Sequence, residues 1–296
     1  MNALDKLEAV EISVDNRISE TDRQFCEAHQ TAYKEAKEML SELKYIWEDT
    51  LNRQHQLLEP YETSKYTLDK YISIPNFSVK DIQQRLECIH RVFIENLVEH
   101  FNSVYNVSLD SKEIADILLP NKPERYYPSD STEAAKQYQQ QLKTLMVDYK
   151  DVLDRILIQL GGRTFHERAL DELKEKCHKA AWNTYHGKAE YELKNDTIRF
   201  AYGCSFKDWV DKWEVNDSLK EILRGLSYFE TGIFGAYPSG ISRLLGWDRM
   251  EYPLVEFSGC TKLQSLRMFK NGRTDVKFRS RVYARQFVTQ FLGLAC

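Results

Sequence analysis

The sequence predicts an α+β fold that is mainly helical: a bundle of long helices at the N-terminus, then a mixed part with two β-hairpins and a C-terminal helix. Three observations carry this. Apolar residues recur every three or four positions through the first 180 residues or so. The period drops to two after Gly187. Near the end, the pair Asn271-Gly272 separates two short alternating runs, the strongest short-range hairpin signal.

Each element has its own marker. Ser19 with Asp22 marks a helix start, and Phe25, Ala32, Ala36, Met39, Leu40, Leu43, Ile46 and Trp47 then repeat at helical spacing to about residue 58, ahead of Pro60. The Tyr61–Pro75 segment breaks this helix. Ser78 with Asp81 opens a second one, whose stripe is Ile82, Leu86, Ile89, Phe93, Leu97, Phe101 and Val104. Ile94 and Val98 widen that stripe enough to touch more than one partner helix. Ser111 caps a short third helix ending at Leu119. The proline-rich "PNKPERYYPSDS", residues 120–131, reads as a linker or crossover between a helical part (1–119) and the remainder (132–296).

A long helix over about 131–160 follows, ended by Gly161-Gly162, because glycine reaches the left-handed cap conformation cheaply. Thr164 and Glu167 form a capping box for a helix reaching about Trp182. Ala189, Tyr191 and Leu193, then Ile198, Phe200 and Tyr202, alternate about an Asn-Asp turn and give the first hairpin. Helical pieces around Phe206–Trp213 and Ser218–Phe229, a loop "ETGIFGAYPSG", the second hairpin and a final helix Val282–Leu292 complete the chain.

Composition places the chain among globular proteins: 296 residues, 42% hydrophobic and 29% charged. Cysteines at positions 26, 88, 177, 204, 260 and 296 form neither C-x-x-C pairs nor a dense disulfide pattern. The stretch "MNALDKLEAVEISVDNR" has no apolar signal core, and no run of 18 apolar residues occurs. The expectation is a cytoplasmic protein with free thiols and no membrane contact.

A two-residue Asn-Gly turn would set Lys270 opposite Arg273, Met268 opposite Asp275, Leu266 opposite Lys277 and Gln264 opposite Arg279. One face then carries Lys270, Arg273, Lys277 and Arg279, relieved by Asp275, Leu266 and Met268. Leu263, Phe269, Thr274, Val276 and Phe278 pack on the other face, with Arg267 the exception. In the final helix Ala284, Phe287, Val288 and Phe291 make the buried stripe, and Arg281 and Arg285 stand one turn apart on a polar side.

From Thr261 to Cys296, eight Lys and Arg face a single acid, Asp275, a balance of +7. The chain as a whole carries −4, so the preceding residues carry −11. A negative chain does not attract nucleic acid globally, and contact must be local. Lys270, Arg273, Lys277, Arg279, Arg281 and Arg285 are therefore the candidate binding residues, as partners for DNA or RNA phosphates or for a nucleic-acid-processing protein. Against this stand solvation of a sheet edge and pairing with the acidic remainder.

Sequence signatures of nucleotide hydrolysis, dinucleotide binding, serine esterases and zinc proteases are absent. So are the Asn-Pro-Pro-Tyr motif and glycine-rich loop of adenine methyltransferases. Glu87-x-x-His90 and Glu175-x-x-His178 have the spacing of a di-iron bundle site. The helix over 134–160 offers only Asp148, Asp151 and Asp154, however, and Glu175 and His178 fall off the Leu170–Leu173–Cys177 stripe. No catalytic residue, metal or cofactor is expected from these pairs, and an enzyme would need a site assembled from scattered residues.

"MFKNGRTDVKF" followed by "VYARQFVTQFL" resembles the C-terminal signature of a domain family of unknown function found in bacteria, phages and mobile elements, often fused to or beside DNA adenine methyltransferases. "IHRVFIENLVEHFNSVYNVSL", Ile89–Leu109, is similar to its central helix. The resemblance supplies no catalytic residues. It implies a stand-alone mobile-element protein connected with DNA modification, restriction or counter-defence. The function expected is a non-enzymatic accessory protein using its basic C-terminal face. The alternative is a protein-binding inhibitor whose acidic helical surface mimics nucleic acid.

Overall fold

A computed structural model describes residues 18–61, 78–124, 132–183, 188–246 and 249–293. The stretch over residues 1–17, most of Tyr61–Pro75 and part of the proline segment lie outside the described residues. The fold is α+β and mainly helical, and the chain divides into two compact units, Met1–Arg163 and Thr164–Cys296. The boundary therefore falls just after Gly161-Gly162 rather than at the proline segment. No described helix is long and apolar enough to cross a membrane.

The N-terminal unit contains α1 (Glu20–Leu58), α2 (Val79–Tyr105), α3 (Ser111–Leu118), α4 (Glu133–Thr144) and α5 (Tyr149–Gln159). Ser19 and Asp22 form the expected capping box of α1, and the Asp81 carboxylate accepts from the Ser78 amide at 2.6 Å. Asp110, not Ser111, caps α3.

The face that α1 buries differs from its apolar stripe. Asp22, Cys26, Gln30, Tyr33 and Lys37 point inward, while Ala32, Ala36, Met39, Leu43 and Ile46 are exposed. The reason lies in the α4–α5 connection, which splits the helix expected over 131–160. Lys37 Nζ donates to the Leu145 carbonyl. Gln30 donates to the Val147 carbonyl (3.1 Å) and accepts from the Tyr149 amide (2.7 Å). Backbone groups freed by the break thus find partners on α1, as buried polar groups must. Asp148 then caps α5, and Gly161 and Gly162 end the unit's last turn at φ 63° and 80°.

The C-terminal unit opens with α6 (Phe165–Ala181), capped by Thr164 and Glu167. The strands are β1 (Trp182–Asn183), β2 (Lys188–Ala189), β3 (Tyr191–Lys194), β4 (Thr197–Phe200), β5 (Cys204–Lys207), β6 (Lys212–Val215), β7 (Leu254–Glu256), β8 (Leu263–Met268) and β9 (Thr274–Phe278). β5 and β6 form a hairpin where helical pieces were expected. Its pairs Phe206–Trp213 and Lys207–Lys212 flank a tight turn at 208–211, closed by Asp211 at φ 54°. Helices α7 (Asp217–Thr231) and α8 (Ser239–Gly246) follow. The last helix, α9 (Arg281–Phe287), continues as a π-helical turn, Val288–Leu292.

The main sheet is antiparallel in the order β3-β4-β9-β8-β7. Its inner face carries Leu193, Ile198, Val276, Leu266 and Val255 in one cross-strand row, and Tyr191, Phe200, Thr274 and Met268 in the next. These pack with α7 and α9 residues such as Leu223, Leu226, Phe229 and Phe287 in one apolar core. The helices approach closely: a Cβ at Gly225 of α7 would overlap Cys177 Sγ of α6. The chain end is anchored by His178 Nδ1 (2.6 Å) and Trp182 Nε1 (3.0 Å) on the Leu292 carbonyl and by Tyr191 on that of Gly293.

Candidate nucleic-acid interface

The β8–β9 hairpin reverses through a three-residue loop, Lys270-Asn271-Gly272, not a two-residue turn. The Phe269 amide donates to the Arg273 carbonyl and the Gly272 amide to the Phe269 carbonyl, both at 2.9 Å. Only Gly272 takes positive φ (87°), as in hairpin loops closed by a glycine bulge. Its carbonyl accepts from Gly203 (2.9 Å) and Cys204 (3.2 Å), which docks the tip onto the start of β5. The register accordingly shifts by one: Met268 pairs with Thr274, Arg267 with Asp275 and Ser265 with Lys277. Leu266 and Met268, expected among the cations, point into the core, and Arg267 joins the outer face.

That face alternates in sign. One cross-strand row reads Glu192, Arg199, Asp275, Arg267, Leu254, and the next Lys194, Thr197, Lys277, Ser265, Glu256. Asp275 contacts both Arg199 (3.6 Å) and Arg273 (3.1 Å). The middle of the sheet is therefore close to neutral, with Lys277 exposed between Thr197 and Ser265.

Five of the six predicted residues fall into two groups, Lys270 with Arg273 at the tip and Arg279, Arg281 and Arg285 at the far end, and Lys277 lies between them. Six residue steps of extended chain put Arg273 roughly 20 Å from Arg279. At the far end Arg279 Nε donates to the Cys260 carbonyl (2.8 Å), and Arg281 and Arg285 are exposed on α9. Glu230 organises this end, accepting from the Lys262 (2.9 Å) and Leu263 (3.0 Å) amides and from Thr261. Burial alone would raise its pKa, but these hydrogen bonds outweigh that and hold it below the usual glutamate value.

At the tip, cations lie over aromatic rings. Lys270 Nζ is 4.0 Å from the Phe206 ring centre, and the Arg273 guanidinium is 3.8 Å from Phe269, whose ring Arg267 also approaches at 5.4 Å. Phe206 packs on Trp213 at 4.8 Å, and Trp213 bridges to Met250. The neighbouring Arg249 lies 4.7 Å from the ring of Trp209, itself 74% exposed at the β5–β6 turn. A continuous run of contacts thus joins the two hairpin tips. Sequence reasoning missed Phe206 and Trp209 because it took this stretch as helical, and Arg249 because no local pattern ties it to the hairpins. The available signal was alternation in "CSFK" and "KWEV" about a four-residue turn.

Such a surface can hold phosphates by charge and stack rings on Trp209. Little else here supports bond-making chemistry. Cys204 is buried with Sγ at 3.5 Å from the Gly272 carbonyl. Burial pushes the Cys177 thiol up to about 12. His90 is fully buried against Tyr33 and Leu142, and Glu175 pairs with Lys179 at 2.6 Å. No group of three His, Cys, Asp or Glu able to hold a metal occurs among the described residues. Comparison with protein-family models, with curated proteins and with solved structures gives no match.

Proposed function

We propose that this chain is a non-enzymatic accessory protein that contacts nucleic acid through the paired hairpin tips of its C-terminal unit. The observation that carries this reading is the set of cation–aromatic pairs there: Lys270 on Phe206, Arg273 and Arg267 on Phe269, and Arg249 on exposed Trp209. Cations in such pairs remain available to phosphate oxygens, and their side chains are already ordered by the rings, so less entropy is lost on binding. Arg281 and Arg285 form a second, separate cationic group, and Lys277 lies between the two. The resemblance of the closing hairpin and helix suggests the setting: phage or mobile-element DNA modification, restriction or counter-defence.

Fluorescence anisotropy with a labelled oligonucleotide tests the proposal. Four phosphate contacts give a log–log salt slope of about −3 for a single strand. Lys270→Glu with Arg273→Glu should weaken binding by about tenfold or more at low salt, and Arg281→Glu with Arg285→Glu by less. Absence of binding at low salt, or binding indifferent to salt, would overturn it. Retention of a protein partner after nuclease treatment would then favour the acidic helical body acting as a nucleic-acid mimic.

A further inference from the structure

The N-terminal unit holds a cleft of about 400 Å³ between α1, α2 and α4. We infer that it is a binding site for a polyphosphate ligand of nucleotide size, independent of the hairpin tips.

The argument begins with spacing. Lys37 and Lys44 of α1 line one wall, and Lys136 and Lys143 of α4 line another. Each pair is seven residues apart, two helical turns, so each wall places two lysine Cα atoms on one face about 10 Å apart. Lys37 reaches the Leu145 carbonyl at the C-terminal end of α4, which ties the two walls together. Four like charges converging on one cleft repel one another, and the N-terminal unit has carboxylates to spare: residues 1–163 contain 28 Asp and Glu against 20 Lys and Arg. Yet among the described residues only Glu48 and Glu87 bring carboxylates to the cleft.

Both carboxylates are already engaged. Glu48 lies 3.6 Å from Lys44, and Glu87 accepts from Gln83 Nε2 at 2.8 Å. Lys37 is nearly buried, and burial lowers its pKa, the direction expected for an ammonium without a full counter-charge. Among the described residues no carboxylate pairs with Lys136 or Lys143. The charge that would relieve this group is a multivalent anion from solution.

Ligand size follows from the cleft. Its volume falls within the range of small-molecule sites and exceeds what one inorganic phosphate fills. A chain of phosphates spans the two lysine levels where a single phosphate reaches one. Tyr45, 70% exposed among the lining residues, offers a ring face to a base, and Leu86 and Leu142 supply apolar surface.

Isothermal titration of the full chain in magnesium-free, low-salt buffer, with ATP, tripolyphosphate and inorganic phosphate in turn, decides the matter. ATP and tripolyphosphate should bind at least about tenfold more tightly than phosphate. Equal affinity for the first two assigns recognition to the phosphate chain, and tighter ATP binding that Tyr45→Ala removes assigns part of it to the base. Lys136→Gln with Lys143→Gln, both exposed on α4 and so compatible with folding, should weaken polyphosphate binding by about tenfold or more. Absence of heat with either polyphosphate at about 1 mM, or affinity unchanged in that double variant, overturns the inference.

Discussion

The two units reach stability by different routes. Among the described residues the N-terminal unit buries Asp22, Gln30, Lys37 and His90, and each is hydrogen-bonded across sequence separations of tens of residues. Among its described residues the C-terminal unit buries only Ser227 and Thr274 as polar side chains and otherwise packs sheet against helices with aliphatic and aromatic groups. Charge differs in the same sense: residues 1–163 carry 20 Lys and Arg against 28 Asp and Glu, and residues 164–296 carry 21 against 17. A polar seam specifies one arrangement of helices, because any shift leaves buried donors unpaired. An apolar sheet–helix core gains more per residue and leaves its outer face free to carry charge.

The largest test of this contrast is a cavity in the apolar core. Phe287 is fully buried, stacks on Phe291 at 5.0 Å and meets Phe229 edge-on at 5.5 Å. Phe287→Ala should cost about 3–5 kcal/mol. Hydrogen exchange should show the loss in β4, β8 and β9 while α1 and α2 keep their protection. Equal loss of protection in both units would mean that they do not fold as separate bodies.

Acid probes the polar seam. Burial, with the Lys37 charge acting in the same direction and a bond to the Leu142 carbonyl opposing it, pushes His90 from 6.5 down to about 4. Its ring accepts or donates at Tyr33 Oη (2.6 Å) and the Leu142 carbonyl (3.1 Å). The unfolded chain takes up a proton as pH falls through 6.5, and the folded unit does so only near pH 4. The contribution of neutral His90 is thus complete above pH 6.5 and declines by about 1.4 kcal/mol per pH unit below it, roughly 3 kcal/mol in all by pH 4. The N-terminal unit should lose exchange protection over that window, and His90→Gln should flatten the decline. Parallel pH profiles for the two proteins would place the acid sensitivity elsewhere.

Local signals in the sequence were sufficient for three of the helix starts, and long-range ones were not available. The boxes Ser19–Asp22, Ser78–Asp81 and Thr164–Glu167 are three-residue devices and were legible as written. The break at 145–148 contains neither glycine nor proline. It is imposed by Gln30, Tyr33 and Lys37 from over a hundred residues away, and the same demand turns the polar side of α1 inward. At the hairpin, Asn-Gly fits both a two-residue turn and a three-residue loop. What decides between them is the docking of Gly272 onto Gly203 and Cys204, which no local pattern encodes. Lys270 and Arg273 were therefore individually visible, whereas Arg249 was not. Their aromatic partners and the neutralising role of Asp275 depended on the register and on a β5–β6 hairpin disguised by its apolar content.

Asp275 provides the smallest and most discriminating change. It is the only acid between Thr261 and Cys296 and sits between Arg199 and Arg273, its side chain 16% exposed. Neither contact is an aligned hydrogen bond at the guanidinium Nε, so the attraction is mainly charge to charge. Asp275→Asn keeps the shape and should cost about 1 kcal/mol or less in stability, as for partly exposed pairs. If the basic surface acts on phosphates through charge, releasing two arginines should tighten oligonucleotide binding a few-fold and steepen the salt slope by up to about one. Weaker binding in the variant would mean that Asp275 holds Arg273 over Phe269 in the geometry the ligand requires. The C-terminal unit would then share the principle of its neighbour, with a polar contact setting position and the charge count mattering less.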